Sequence, residues 1–121
     1  MLTLYDDPLS GNGYKVRLIL RLTSKAFRVI NLDILNGETR TPEFLAINPN
    51  GKIPTLVFGD GSVLSESNAI LFHCAEETDY LPSETFKRAQ VLQWLFWEHA
   101  TIPKHTQHLS LIHISEPTRP Y

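Results

Sequence analysis

The chain has 121 residues and a formal net charge of −2 at pH 7, with 42% hydrophobic and 20% charged residues. This length suits one domain of ordinary size, and this composition is typical of a folded globular protein rather than a disordered one. Because the net charge is slightly negative, nothing favours nucleic acid or an anionic membrane surface as a partner.

The first forty residues predict, in order, a strand, a helix, a second strand and a loop. Their predicted bounds are Leu2–Tyr5, about Gly13–Leu22, Phe27–Leu32 and Asp33–Pro42. Pro8 and Gly11 mark the turn after the first strand, and the following apolar residues recur at helical spacing. Gly37 lies in the polar stretch that we expect to be a loop.

The next segments predict a short helix, a β-hairpin and a longer helix. Their predicted bounds are Pro42–Leu45, Thr55–Phe58, Ser62–Leu64 and Ser65 to about Glu77. Thr41 is the expected N-cap of the short helix, with Pro42 at its first position, and Ser65 is the expected cap of the longer one. The order β-α-β-α-β-β-α predicts an α/β fold in which helices cover a mixed four-stranded sheet.

One more helix is predicted from Glu84 to about Ala100, with Ser83 as its N-cap. One of its faces is wide and apolar, and Trp94 and Trp97 widen it further. A single helix cannot bury such a face alone. The other residues of this face are Ala89, Val91, Leu92, Leu95 and Phe96.

The stretch from Asn48 to Val57 carries the most specific functional signal. Pro54 opens an apolar strand-like run, where we expect proline at the first position of an edge strand or at a bulge. We expect the Ile53–Pro54 bond to be cis, which would turn the main chain of Ile53 outward to pair with an extended peptide. The helix that opens at Ser65-Glu66-Ser67 has free N–H groups that suit a carboxylate. Together these features predict a site for a small acidic peptide.

Three motifs in this order resemble the N-terminal domain of bacterial glutathione S-transferases. They are Leu4–Asn12, Asn48–Pro54 and Ser65–Ile70, and the resemblance covers about residues 1–100. It implies a thioredoxin-like fold and a cytoplasmic, homodimeric enzyme of detoxification. It also implies glutathione as the co-substrate, with no further cofactor, and an electrophile that the sequence does not identify.

The resemblance also implies how the chain is divided. Residues 1–79 would be the thioredoxin-like glutathione-binding domain, and residues 80–108 the start of a truncated all-helical domain. Residues 109–121 depart from the family and are similar to an in-frame translation of a transposase-type sequencing adapter, so we expect a non-native tail. The alternative is a native tail with two prolines.

Ser10 and Asn12 are the catalytic candidates that the resemblance implies. Ser10 lies between the first strand and the first helix, where a helix N-terminus favours an anion. A hydroxyl that donates to the thiolate of glutathione there would lower the thiol pKa, and the Asn12 side chain could donate to the same sulfur. Alternatively, Ser10 is only a helix cap, since serine is a preferred cap.

Five further residues are the candidates that would hold glutathione: Lys52, Ile53, Pro54, Glu66 and Ser67. By resemblance, the main chain of Ile53 pairs with the cysteinyl unit and Lys52 lies near the glycyl carboxylate. Ser67 would take the γ-glutamyl carboxylate and Glu66 its ammonium group. The alternatives are a solvated surface lysine and ordinary first-turn helix chemistry for Glu66 and Ser67.

Several other functions are disfavoured. Neither Ser10 nor Gly13 can form a C-x-x-C pair, so a glutaredoxin-like oxidoreductase is not expected. The histidines His99, His105, His108 and His113 fit no standard metal-site spacing, and we expect no metal. We expect no membrane segment and no leader, because no apolar run is long enough. The lone cysteine, Cys74, is expected in the core and fits a reducing compartment.

Two hypotheses remain from different functional classes. In the first, the chain is the glutathione-binding half of a glutathione S-transferase that stabilises the thiolate for attack on an electrophilic carbon. In the second, it is a non-catalytic glutathione-transferase-like module for dimerisation or assembly. Retention of Ser10, Ile53-Pro54 and Glu66-Ser67 favours the enzyme.

Overall fold

A computed structural model describes the main chain of residues 1–115 and the surroundings of the side chains of residues 1–101. Its strands are β1 (Leu2–Asp6), β2 (Phe27–Asn31), β3 (Thr55–Val57) and β4 (Val63–Ser65). Its α-helices are α1 (Gly11–Leu22), α2 (Pro42–Ile47), α3 (Ser67–Ala75) and α4 (Thr85–Ser115). The chain divides into two compact units, of which the first is Met1–Glu76 and the second begins at Glu77.

The four strands form one mixed sheet in the order β2-β1-β3-β4. β1 and β2 are parallel, as expected for strands joined through a crossover helix, whereas β3 is antiparallel to both β1 and β4. The predicted fold class is therefore confirmed, including the β3–β4 hairpin. The Phe58 N–H donates to the Ser62 carbonyl at 2.8 Å and closes the hairpin turn.

The core of the first unit lies on both faces of the sheet. Leu4 and Leu56 are paired across β1 and β3, and both are fully buried. Tyr5 points to the opposite face, as alternation along a strand requires, and its ring packs against that of Phe44 in α2 with centroids 5.6 Å apart. α1 and α3 pack against each other and contribute further buried apolar side chains: Val16, Ile19, Leu20, Ile70 and Cys74.

The segment predicted as a loop between β2 and α2 contains two short 3-10 helices, Ile34–Asn36 and Glu38–Arg40. The Asp33 carboxylate accepts a hydrogen bond from the Leu35 N–H at 3.0 Å, and Gly37, with φ at +75°, separates the two turns. Polar composition alone did not reveal these turns. The predicted cap of α2 is confirmed, because the Thr41 hydroxyl accepts from the Phe44 N–H at 3.2 Å.

The start of α3 differs from the prediction. Ser65 is the last residue of β4 and pairs with Thr55, so its main chain belongs to the sheet and does not cap the helix. Glu66 is the N-cap residue instead, with φ at +72°, and its side chain makes no capping hydrogen bond. α3 ends at Ala75, two residues before the predicted end.

The second unit also differs from the prediction at both ends of its helix. Glu84, rather than Ser83, caps α4, because its longer side chain accepts from the N–H groups of Phe86 at 3.1 Å and Lys87 at 2.8 Å. The helix does not end near Ala100 but continues to Ser115, and no glycine interrupts it. The expected tail therefore begins within a helix, and residues 116–121 lie outside the described part of the chain.

Several large apolar side chains of α4 are exposed in the described part of the helix. Trp94 and Trp97 contact each other edge to face, with ring centroids 5.8 Å apart. The others are Phe86, Leu92 and Phe96. Among the described residues, no helix combines the length and apolar character that crossing a membrane requires.

Candidate functional site

The segments that follow β1, precede β3 and follow β4 meet at one end of the sheet. Tyr5 pairs with Thr55, and Thr55 pairs with Ser65. Because β3 is antiparallel to both neighbours, β1 and β4 end where β3 begins. Neighbouring strands are about 5 Å apart. These pairings therefore bring three segments to the same end of the sheet: the loop that leads to Ser10, the Ile53–Pro54 bond and the start of α3.

Ser10 is the N-cap of α1, as both interpretations of this residue expect. Its hydroxyl oxygen accepts from the Gly13 N–H at 3.1 Å, and its carbonyl accepts from the Tyr14 N–H at 3.0 Å. Among the described residues, none accepts the hydroxyl proton of Ser10, so the hydroxyl can donate to a ligand while it caps the helix. Asn12 lies half-buried in the same turn.

Asp7 holds the loop on which Ser10 lies, a role that sequence reasoning missed. Its carboxylate accepts from the Leu9 N–H at 2.9 Å and the Ile34 N–H at 3.2 Å. Its carbonyl accepts from the Ser10 N–H at 2.9 Å. Asp7 is buried, although it is the first residue of the loop after β1. An aspartate two residues before a turn leucine is a common local signal for such a bond.

The loop before β3 is organised by the buried side chain of Asn48. Its amide nitrogen donates to the Lys52 carbonyl at 3.0 Å and to the Thr55 hydroxyl at 3.1 Å. Its amide oxygen accepts from the Asn50 N–H at 3.0 Å. At Gly51, φ is +60°, and a Cβ atom would lie 2.9 Å from the Thr39 carbonyl. Three hydrogen bonds and one close main-chain approach therefore fix this loop.

The peptide bond between Ile53 and Pro54 is cis, as expected. Pro54 is buried and directly precedes β3, which is a central strand of the sheet and not the expected edge strand. No hydrogen bond from any described residue occupies the N–H or the carbonyl of Ile53. Lys52 is exposed, consistent with a solvated charge. The Arg40 guanidinium lies 3.0 Å from the position of a Cβ on Gly51, so a second cation, which the sequence did not suggest, flanks the same loop.

Glu66 and Ser67 stand at the N-terminus of α3. Glu66 is exposed, and its positive φ is rare for a residue with a side chain and costs of order 1–3 kcal/mol. Ser67 is buried at the first helical position. The Lys15 ammonium donates to the Asn68 amide oxygen at 3.1 Å, which joins α1 to the first turn of α3. The two helix starts are therefore linked by a side-chain bond.

Asp6, the last residue of β1, lies fully buried beside the first turn of α1. Its Oδ2 atom pairs with the Arg17 guanidinium, and its Oδ1 atom has no hydrogen-bond partner among the described residues. Burial raises the pKa of Asp6, although the Asp7 main chain and the Arg17 charge act in the opposite direction. Sequence reasoning missed Asp6, and its only signal was an acidic residue at the end of an apolar strand.

The single thiol of the chain is not part of this site. Cys74 is buried in α3, as predicted, and burial raises the pKa of its thiol, so it is protonated at neutral pH. His73, its neighbour, packs edge to face on Phe58 at 5.2 Å. Within the described side chains, no group of three potential metal ligands comes together. The candidates His105, His108 and His113 lie outside those side chains.

The first 76 residues match the family model of the glutathione S-transferase N-terminal domain. The chain belongs to the glutathione S-transferase family. The structure of a possible glutathione S-transferase from Rhodopseudomonas palustris superposes with a TM-score of 0.80 at 48% identity. That match covers 84% of this chain and 50% of the other. The family resemblance and the thioredoxin-like fold predicted from the sequence are thus confirmed.

Two further members show the range of this family. The disulfide-bond oxidoreductase YfcG of Escherichia coli K12 is 40% identical over all of this chain and 60% of its own length. Ure2p, solved in complex with glutathione, superposes with a TM-score of 0.74 at 32% identity over 81% of this chain and 44% of its own. The chain therefore spans only about half of the length of these relatives.

Replacing Asn48 with Ala should loosen the loop before β3. It removes three hydrogen bonds and leaves the Lys52 carbonyl with one donor fewer, so we expect the free energy of unfolding to fall by about 1–3 kcal/mol in urea titrations. Asn50→Ala is the matched control, because Asn50 is exposed and should cost less than about 0.5 kcal/mol. Equal losses for the two variants would contradict this role of Asn48.

Replacing Asp6 with Asn should change how stability depends on pH. Because folding raises the pKa of Asp6 above its ordinary value of 3.8, the unfolded state releases this proton first as the pH rises. The stability from Asp6 is therefore greatest below that value and is lost as the pH passes its folded pKa. Urea titrations at several pH values should show the wild type losing stability relative to Asp6→Asn as the pH rises.

The hairpin-turn residue Asp60 gives a control of opposite sign. Hydrogen bonds from Ser62 lower the pKa of Asp60, which is fully exposed. Its small contribution is present above the unfolded pKa and is lost as the pH falls through the folded pKa. The wild type should therefore gain stability relative to Asp60→Asn as the pH rises. If the stability of the wild type relative to Asp6→Asn and relative to Asp60→Asn changed with pH in the same direction, the burial argument for Asp6 would be wrong.

Proposed function

We propose that this chain is the glutathione-binding half of a glutathione S-transferase. The proposal rests on three features that lie at one end of the sheet. They are Ser10, the main chain of Ile53, whose N–H and carbonyl make no hydrogen bond with a described residue, and the start of α3. Membership of the family and the glutathione complex of Ure2p support the choice of ligand. These features suit a peptide that carries a thiol and carboxylates. The hydroxyl can donate to the thiolate, the extended main chain can pair with the peptide, and the helix N-terminus can bind a carboxylate.

The proposed chemistry is activation of the glutathione thiol. A free thiol has a pKa of about 8.5 and is mostly protonated at neutral pH. Ser10 donates a hydrogen bond to the sulfur, and Asn12 adds a second donor, so both stabilise the thiolate near a helix N-terminus. The thiolate then attacks an electrophilic carbon. A carbon–sulfur bond forms, and the leaving group departs with the electron pair.

The remaining candidates hold the tripeptide in the proposed complex. The main chain of Ile53 pairs with the cysteinyl unit, and Pro54 fixes the edge that Ile53 presents. Lys52 offers its charge to the glycyl carboxylate. Ser67 and the free N–H groups of α3 take the γ-glutamyl carboxylate, while Glu66 attracts the ammonium group. No metal and no further cofactor takes part in this scheme.

We further propose that the chain is part of a longer cytoplasmic homodimer. Residues 1–79 would form the glutathione-binding domain and residues 80–108 the beginning of a helical domain, with residues 109–121 as a non-native tail. The greater length of the relatives and the exposed apolar side chains of α4 support the start of a further helical domain. The missing part would supply most of the electrophile site.

The Escherichia coli relative favours a second candidate, disulfide reduction. Since Cys74 is buried and protonated, two glutathione molecules would supply the electrons. One thiolate attacks the substrate disulfide and releases a thiol, and the second attacks the glutathione sulfur of the mixed disulfide. The products are two thiols and glutathione disulfide.

An assay of glutathione-disulfide formation from a small-molecule disulfide should separate the two reactions. If the chain is an oxidoreductase of this kind, the rate should survive Cys74→Ala, because the reaction does not use the protein thiol. Conjugation of an electrophile without disulfide reduction would select the transferase. Loss of disulfide reduction in Cys74→Ala would contradict the mechanism in which two glutathione molecules supply the electrons.

Replacing Ser10 with Ala should raise the thiol pKa of bound glutathione. Loss of one hydrogen bond to a charged group corresponds to a rise of about one pKa unit. The thiolate absorbance in the ultraviolet, titrated against pH, measures it, and calorimetry measures the affinity. Ser10→Thr keeps a hydroxyl and should retain most of the effect.

Thr41→Ala is the matched control for Ser10→Ala, because Thr41 also caps a helix through the N–H three residues later. Both variants should lose about 1 kcal/mol of stability, but only Ser10→Ala should change the thiol pKa. An unchanged thiol pKa in Ser10→Ala would leave Ser10 as a cap only. A wild-type chain that gives no heat with millimolar glutathione would favour the assembly module instead.

A further inference from the structure

Asp6 and Gly13 make an unusually close contact next to the proposed thiolate site. A Cβ atom at position 13 would overlap the carboxyl group of Asp6, whose three terminal atoms would be its nearest neighbours. Gly13 is buried in the first turn of α1. The carboxyl group thus occupies the space of a side chain at position 13, and the helix can approach it only because that residue is glycine.

Gly13 also carries the hydrogen bond to Ser10. Its N–H donates to the Ser10 hydroxyl oxygen at 3.1 Å, while its Cα faces the Asp6 carboxyl group. Both contacts belong to one residue. A movement of the main chain at position 13 would therefore change the bond that orients the Ser10 hydroxyl.

The carboxyl group is held firmly in its place. Asp6 extends from β1, and Arg17, one helical turn after Gly13, pairs with its Oδ2 atom. The side chain is therefore braced between the strand and the helix. Its Oδ1 atom is buried without a hydrogen-bond partner in the described part of the chain, which is costly and unusual for a polar atom.

We propose that Asp6 is a positioning residue for the thiolate of glutathione, acting through Gly13 on the direction in which the Ser10 hydroxyl donates. Asp6 is fully buried and acts at a distance from the sulfur, so it is not itself a catalytic residue. The inference rests on the proposed function, because the thiolate in question is that of bound glutathione.

Four variants test the contact. Gly13→Ala introduces the overlap and keeps the charge, whereas Asp6→Asn keeps the shape and removes the charge. Asp6→Gly removes the support without an overlap. The double variant Asp6→Gly with Gly13→Ala relieves the overlap. For each protein, calorimetry gives the glutathione affinity, ultraviolet titration gives the thiol pKa, and urea titration gives the stability.

We expect Gly13→Ala and Asp6→Gly each to raise the thiol pKa by about one unit, as for the loss of the Ser10 bond. The double variant should recover part of the rise in Gly13→Ala, which additive effects would not produce. Asp6→Asn should not raise the thiol pKa, because the contact persists and a nearby negative charge is lost. A purely structural role would lower stability and leave the thiol pKa unchanged, as in Thr41→Ala.

Two outcomes would overturn the inference while the proposed function stands. The first is normal glutathione binding with an unchanged thiol pKa in Asp6→Gly, which introduces no overlap and decides the matter even if Gly13→Ala does not fold. The second is a rise in Asp6→Asn as large as that in Asp6→Gly. Loss of a negative charge should lower the thiol pKa and the amide keeps the shape, so such a rise would show that Asp6 does not act by filling the space beside Gly13. A wild-type chain that binds no glutathione would overturn both proposals.

Discussion

The pairing of β3 with strands on both of its sides is the constraint on which the rest of the structure depends. Thr55 is the central residue of this arrangement, since it pairs with Tyr5 on one side and with Ser65 on the other. Its hydroxyl also donates to the Lys52 carbonyl at 2.8 Å. A single buried residue therefore joins the sheet to the loop that presents Ile53. The distances between the segments that form the candidate site are therefore set by the distances between neighbouring strands.

Buried polar side chains hold two of the three segments of the site, which are the loop that leads to Ser10 and the loop before β3. The Asp7 carboxylate accepts from the Leu9 N–H in the loop before Ser10 and from the Ile34 N–H after β2. Asn48 ties the loop before β3, and Asp6 lies against the first turn of α1. Apolar packing is tolerant of small shifts, whereas a buried hydrogen bond is strongly dependent on distance and angle. These hydrogen bonds therefore give the loops a defined geometry. The apolar core of Leu4 and Leu56 supplies the stability that the sheet needs.

Most of the elements could be predicted because their signals are local. The Thr41 cap, the apolar spacing of α1 and the glycines of the hairpin act within a few residues of themselves. Predictions failed where two local signals competed. Ser65 is a good cap by type, but pairing with Thr55 holds it in β4. Ser83 is also a good cap by type, yet the Glu84 carboxylate reaches the first N–H groups of α4. Sequence alone does not rank such competitors.

The order of strands and helices could be predicted from the amino-acid sequence, because periodicity and turn residues indicate it directly. The resemblance of three short motifs to a known family identified that family and implied the candidate residues Ser10, Ile53 and Ser67. Only the tertiary structure shows that these residues lie at the same end of the sheet, because their positions depend on the register between strands that are far apart in the chain. It alone revealed the contact of Asp6 with Gly13. The sequence shows only a glycine at position 13, and the folded chain shows a carboxyl group in the space that its missing side chain leaves.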